Sequence, residues 1–170
     1  MSFSVFLIES SASPPTEVFA AHADAALTKI RATGSVTRGD VVTNDGWSVG
    51  VYCDRGQGGM VKLQSLTLSI AELIFAVADA TCCYIVSEDN GTVALRTHGN
   101  VGTLAMSADD EDKLKIVDIE NPTALEAKLS EPFGAWSGYR DQILKPDASA
   151  SPSSSSFFGR LLGGLFGKAT

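Results

Sequence analysis

Residues 3–8, Phe-Ser-Val-Phe-Leu-Ile, are almost continuously apolar and predict a strand. Ser13-Pro14 then starts a helix, because serine suits the cap and proline loses no bonded N–H in the first turn. Phe19, Ala23, Ala26, Leu27 and Ile30 recur at helical spacing, and Gly34 can end the helix. Alanine is frequent on that face, so close packing on a sheet is expected. Residues 40–44 and 47–53 read as a hairpin about Asp45-Gly46, with Trp47, Val49, Val51 and Cys53 on one face of its second strand.

The second half has a similar rhythm. Residues 60–66 predict a strand, and Ser69-Ile70-Ala71-Glu72 has the form of a capping box with Leu68 and Leu73 as its staple. The helix over about 70–81 has Glu72 and Asp79 as its only charges, so it belongs largely inside the core. Tyr84–Ser87 and Thr92–Leu95 flank Asn90-Gly91, the strongest hairpin signal in the chain. Residues 101–106 and 113–119 follow as candidate strands. A short helix runs from Pro122 or Thr123 to about 130. A last helix over about 135–144 carries Trp136, Tyr139, Ile143 and Leu144 until Pro146 stops it.

These elements predict an α+β fold, with a mixed or antiparallel sheet and two main helices. The order strand–helix–hairpin occurs near 3–53 and again near 60–97, a hint of a duplicated unit. Residue identities do not repeat, however, and α+β domains often alternate this way without duplication.

The pattern breaks after residue 145. Residues 146–156, Pro-Asp-Ala-Ser-Ala-Ser-Pro-Ser-Ser-Ser-Ser, have nothing to bury and read as a linker. Residues 157–170 form three units, Phe-Phe-Gly-Arg, Leu-Leu-Gly-Gly and Leu-Phe-Gly-Lys, before Ala-Thr. Wound as a helix, a four-residue repeat drifts only about 40° per unit. It would gather Phe157, Phe158, Leu161, Leu162, Leu165 and Phe166 on one ridge, with Arg160 and Lys168 opposite. The glycines weaken such a helix in isolation, so it needs an apolar surface to order against. Three surfaces are open to it: the chain's own body, a groove on another protein, or a lipid interface. The domain reading is a globular body over 1–145, a linker over 146–156 and an amphipathic docking peptide over 157–170.

Charge narrows the partners. The 170 residues carry 13 basic and 20 acidic side chains, a net −7. Residues 1–145 hold 11 basic and 19 acidic ones, or −8. No basic stripe for nucleic acid is visible, and no apolar run reaches the roughly 20 residues of a membrane span. The first nine residues lack the basic start of a signal peptide. Cys53, Cys82 and Cys83 are odd in number with two adjacent, a poor disulfide framework, so a reducing cytoplasm is expected.

Candidate chemistry is sparse. Gly56-Gln57-Gly58-Gly59 could turn backbone N–H groups toward a phosphate, but neither the dinucleotide nor the Walker spacing is present. Cys53 with His98 as base, beside Asp54 and the glycine loop, would make a small cysteine enzyme; the opposing reading of Cys53 is a small buried apolar residue. His22 lies beside the apolar face of the first helix as a core-edge residue. No metal site is expected, because Cys82-Cys83 lacks zinc spacing and Asp109-Asp110-Glu111-Asp112 lacks the alternating ligands of a calcium loop. No cofactor is implied. Trp136, Tyr139 and Arg140 have the residue mix of an interface on the body.

The resulting expectation is a non-enzymatic cytoplasmic protein-binding module with a tethered C-terminal docking peptide, for instance an inhibitor or immunity-type protein with a basic partner. The competing expectations are the small enzyme and a peripheral membrane protein anchored by its tail.

Overall fold

The computed structural model describes residues 2–54, 58–88, 92–104 and 114–144, apart from the side chains of Thr16, Cys53 and Asp54. In chain order the elements are β1 (Phe3–Ile8), α1 (Thr16–Lys29), β2 (Thr33–Ser35), β3 (Asp40–Val42), β4 (Ser48–Asp54) and β5 (Gly58–Leu63). Then come α2 (Leu68–Thr81), β6 (Tyr84–Ser87), β7 (Val93–Thr97), β8 (Lys115–Ile119) and α3 (Pro122–Leu144). The strands form one mixed eight-stranded sheet in the order β2-β3-β4-β5-β1-β6-β7-β8. Every neighbouring pair is antiparallel except β7 and β8. The fold is α+β.

Period-two alternation sorts the side chains of the central strands. Phe3, Val5 and Leu7 of β1, Val49 and Val51 of β4, and Val61 and Leu63 of β5 are buried in one cluster with Phe19, Leu27, Leu73, Ile74, Leu125 and Leu129 of the helices. All three helices therefore cover the same face of the sheet.

Both early helices begin, and α1 also ends, by chemistry that differs from the expectation, whereas α2 ends at Thr81 as expected. α1 starts at Thr16 behind Pro15, which makes no side-chain cap bond; Ser13 instead accepts from Ser10 N at 2.9 Å. Its end is set by Arg31 in the left-handed region (φ 60°), not by Gly34. Arg31 N donates to Thr28 O and Ala32 N to Leu27 O, the paired bonds of a Schellman turn. α2 is capped by Thr67, whose hydroxyl accepts from Ile70 N, two residues before the expected Ser69. Leu68, the expected staple residue, is exposed. Thr67→Ala should therefore cost about 1 kcal/mol, and Ser69→Ala much less, as read from the urea midpoints of both variants.

Three further expectations change. Cys82 sits at the left-handed end of α2 and Cys83 is buried, so the pair flanks a turn rather than lying on a strand. Within 101–104 the only pairing is an isolated bridge from Leu104 to Ser10. The two C-terminal helices are one, α3, which continues through Pro132. Asn121 caps it, its Oδ1 accepting from Ala124 N at 2.9 Å.

The repeated element order does not become repeated placement. After α1 the chain enters the sheet at its outer edge and works inward through β2, β3 and β4. After α2 it enters at the centre and works outward through β6, β7 and β8. The linker, the C-terminal peptide and the run Asp109–Asp112 lie outside the described residues. Among those residues no helix is long and apolar enough to cross a membrane.

Candidate functional site

The sheet face on which none of the described helices lies carries the first candidate. Residues between the core positions of each strand point to this side. β1 is largely apolar there too, with Phe6 between Val5 and Leu7 and Ile8 after Leu7. Register lines these residues up across the strands. Tyr52 pairs with Met60, Met60 with Phe6, and Phe6 with Val86; Ala94 pairs with Ile116 on the far side. Val86 and Ala94 pack together with Tyr84, and Ile8, Leu104 and Leu114 lie against them. The row is covered at Val86 and Ala94 but open elsewhere: Phe6 is 38% exposed, Tyr52 48% and Ile116 45%.

Tyr52 is held in place rather than loose. Its ring lies close over Gly50, where an added Cβ would meet ring carbon at 3.0 Å. Lys62 places its ammonium 5.4 Å from the ring centroid, a cation–π contact. A positioned aromatic loses little side-chain entropy on binding, which favours it as an anchor.

A second candidate lies at the carboxyl ends of β7 and β8. The chain leaves β7 toward the open face, where Tyr84 Oη donates to Gly102 O at 2.8 Å. It leaves β8 toward α3 on the covered face. Neighbouring parallel strands whose connections diverge leave a crevice between them, the general reason open α/β sheets bind ligands at strand carboxyl ends. Here the crevice holds about 550 Å³ and is lined by Arg96, Thr97, His98, Asn100, Asp118 and Glu120, among others.

Arg96 and Asp118 bridge the two strands by paired bonds, Nε–Oδ1 at 2.6 Å and Nη2–Oδ2 at 3.1 Å. The guanidinium holds the Asp118 carboxyl below its ordinary range, and the carboxylate raises the arginine in return. His98 is near enough for its charge to add to the effect on Asp118. Asn100 Oδ1 accepts from Gly102 N at 3.0 Å and from Ser10 Oγ at 3.2 Å. Asn100 Nδ2 and Thr97 Oγ1 are buried without a partner. Each such group costs about 1–3 kcal/mol if nothing satisfies it.

The expected site residues disperse. Cys53 and Asp54 lie on β4, their side chains outside the described set. His98 follows β7, exposed. β5, β1 and β6 separate those strands, so four strand spacings, about 19 Å, keep Cys53 from His98. The glycine loop lies partly within 55–57, outside the described residues. Gly58 and Gly59 belong to β5, and Gly58 N donates to the Glu9 carboxylate at 3.2 Å. A carboxylate therefore occupies the direction an anion would need. His22 is exposed.

Cys82 and Cys83 are free thiols, each raised above the ordinary cysteine range chiefly by burial. Among the described residues no group of three His, Cys, Asp or Glu converges on one point. Trp136 is buried against Phe3 and Phe133, and Arg140 stacks on it at 5.0 Å while donating to Gln64 O. Tyr139 is exposed. Phe157, Phe158, Arg160, Leu161, Leu162, Leu165, Phe166 and Lys168 lie outside the described residues.

Comparison with protein-family models, curated proteins and solved structures found no match to this chain.

Sequence reasoning missed the open row and the crevice, but not for the same reason. The row has a signal: Phe3-Ser4-Val5-Phe6-Leu7-Ile8 is apolar on both strand faces, which demands cover on both. The crevice has none, because it arises from the divergence of two connections. His98 is exposed, as a loop residue should be, but nothing local marks Thr97 and Asn100 on either side of the turn as buried.

Proposed function

We propose that the protein is a non-enzymatic protein-binding module acting in the cytoplasm, which engages another protein through its uncovered sheet face and its tethered C-terminal peptide. The observation that carries this reading is the row Tyr52–Met60–Phe6–Val86 across four adjacent strands. A row of large apolar side chains that is closed at Val86 but open from Phe6 to Tyr52, with a ring fixed on it, matches how interfaces concentrate energy in aromatic anchors. The partner has an apolar patch rimmed by basic groups, since residues 1–145 carry −8 and like charge across an interface is penalised. The peptide supplies a second contact, converting it to an intramolecular event with raised effective concentration. The distance between Cys53 and His98 disfavours the enzyme.

The test compares three full-length baits, intact, Phe6→Glu with Tyr52→Ser, and deletion of 146–170, each checked first by thermal melting. Both changes should leave melting within a few degrees and lower capture of the same cross-linked partner about tenfold or more. Equal capture by all three refutes the reading. A large fall in melting on deletion makes the peptide part of the core, and flotation with liposomes lost on deletion makes it a membrane anchor instead.

A further inference from the structure

Thr97 and Asn100 have no role in protein binding, yet the fold buries both and leaves both short of a partner. Thr97 is 1% exposed and Asn100 3%. The Asn100 amide cannot be turned round to cure this, because Gly102 N, which can only donate, bonds Oδ1 at 3.0 Å. Nδ2 can only donate, so what is missing beside it is an acceptor. Thr97 lines the same crevice, and its hydroxyl is unpaired too.

Charge around the crevice defines the rest. Arg96 and Asp118 neutralise one another through their paired bonds. That leaves His98 and Glu120 as lining groups with no hydrogen bond or ion pair to any described residue. One can donate and the other is an anion. We propose that this crevice binds a small zwitterion of the α-amino acid class. The ligand carboxylate accepts from Asn100 Nδ2 and the Thr97 hydroxyl, with His98 beside it. The ligand ammonium faces Glu120. The volume of about 550 Å³ admits any single amino acid. His98 and Gly99 form the exposed middle of the turn closed by Asn100 N on Thr97 O, so displacement of this turn opens both buried groups. This site is independent of the protein-binding reading and stands or falls separately.

The experiment titrates the full chain with L-alanine, L-leucine, L-glutamate and L-lysine, reading amide resonances of residues 96–101 and 118–120. Acetate and ethylammonium serve as single-ended probes. At least one amino acid should shift these amides saturably, about tenfold tighter than either single-ended probe. Thr97→Val keeps the shape and removes an unpaired hydroxyl. It should melt no lower than the parent while weakening the amino acid about tenfold, and Glu120→Gln should weaken it with no change in melting. The proposal is overturned if none of the four amino acids shifts these amides at millimolar concentration. It is equally overturned if binding occurs but ignores both substitutions, or if acetate binds as tightly as the amino acids.

Discussion

Gly58→Ala is expected to destabilise the protein by about 3 kcal/mol or more, among the largest losses from adding one methyl group. Gly58 opens β5 with φ at +91°, where an L side chain strains the backbone by about 1–3 kcal/mol. The space is also taken: a Cβ would lie 1.9 Å from Leu7 O. That carbonyl cannot retreat cheaply, because β1 is held between β5 and β6 at the centre of the sheet. Urea unfolding should show the midpoint fall by roughly 1–2 M at unchanged slope. Gly34→Ala provides the contrast. Its Cβ would meet Asp40 O at 2.2 Å with φ at +108°, but β2 is a three-residue edge strand. An edge can shift or fray, so the loss there is smaller. Equal losses at the two positions would show that the central sheet yields as readily as its edge.

Glycine in this chain illustrates how far sequence reading reaches. Gly56-Gln57-Gly58-Gly59 looks like a loop for an anion, and Gly34 looks like a helix stop. Gly58 and Gly34 instead answer to a neighbouring strand pressed against the backbone, which depends on pairing between distant segments. Although β2 was not expected and Asn90-Gly91 lies outside the described residues, most strands were legible, β3 and β4 on either side of Asp45-Gly46 and β6 and β7 among them. The order of strands in the sheet was not, because β1 sits between β5 and β6 through contacts that no local pattern encodes. The end of α1 was missed because the chain uses Arg31 in a conformation that glycine normally supplies, whereas α2 ends at Thr81 as expected.

The two candidate sites follow from the same topology. The three described helices lie on one side of the eight-stranded sheet, and among the described residues the other face is covered only in part. β1 contributes Phe6 to that face, 38% exposed, between the more open Tyr52 of β4 and the buried Val86 of β6. The single parallel pair requires a crossover, and where its two strands end the chain parts in opposite directions. An uncovered face suits a large flat partner, whereas a crevice suits a small ligand. A chain of this size can hold both, since its main core lies between the sheet and the helices and only the small cluster of Tyr84, Val86 and Ala94 is buried on the other face.

Phe3→Ala should cost about 3–5 kcal/mol, and the reason reaches the start of the linker. Phe3 is wholly buried on β1. It meets Phe133 edge-on, with centroids 5.5 Å apart, and Trp136 at 6.0 Å. α3 is a poor helix beyond its first turns, for it contains Pro132, Gly134 and Gly138. Its buried residues are Leu125, Leu129 and Trp136, so past residue 130 the aromatic cluster is its main attachment. Arg140 stacking on Trp136 and reaching Gln64 O extends that attachment by one turn. Phe3→Ala therefore weakens the central strand and the docking of α3 together, and the whole protein registers the loss. Trp136→Ala removes a similar contact, but its cost is capped by local release of residues 133–144. Hydrogen exchange separates the two variants. Trp136→Ala should speed exchange over 133–144 while 122–130 and β1 stay protected, whereas Phe3→Ala should speed exchange throughout the sheet. If Trp136→Ala leaves 133–144 protected, the aromatic cluster is not what holds the second half of α3, and the point from which the linker departs is set by other contacts.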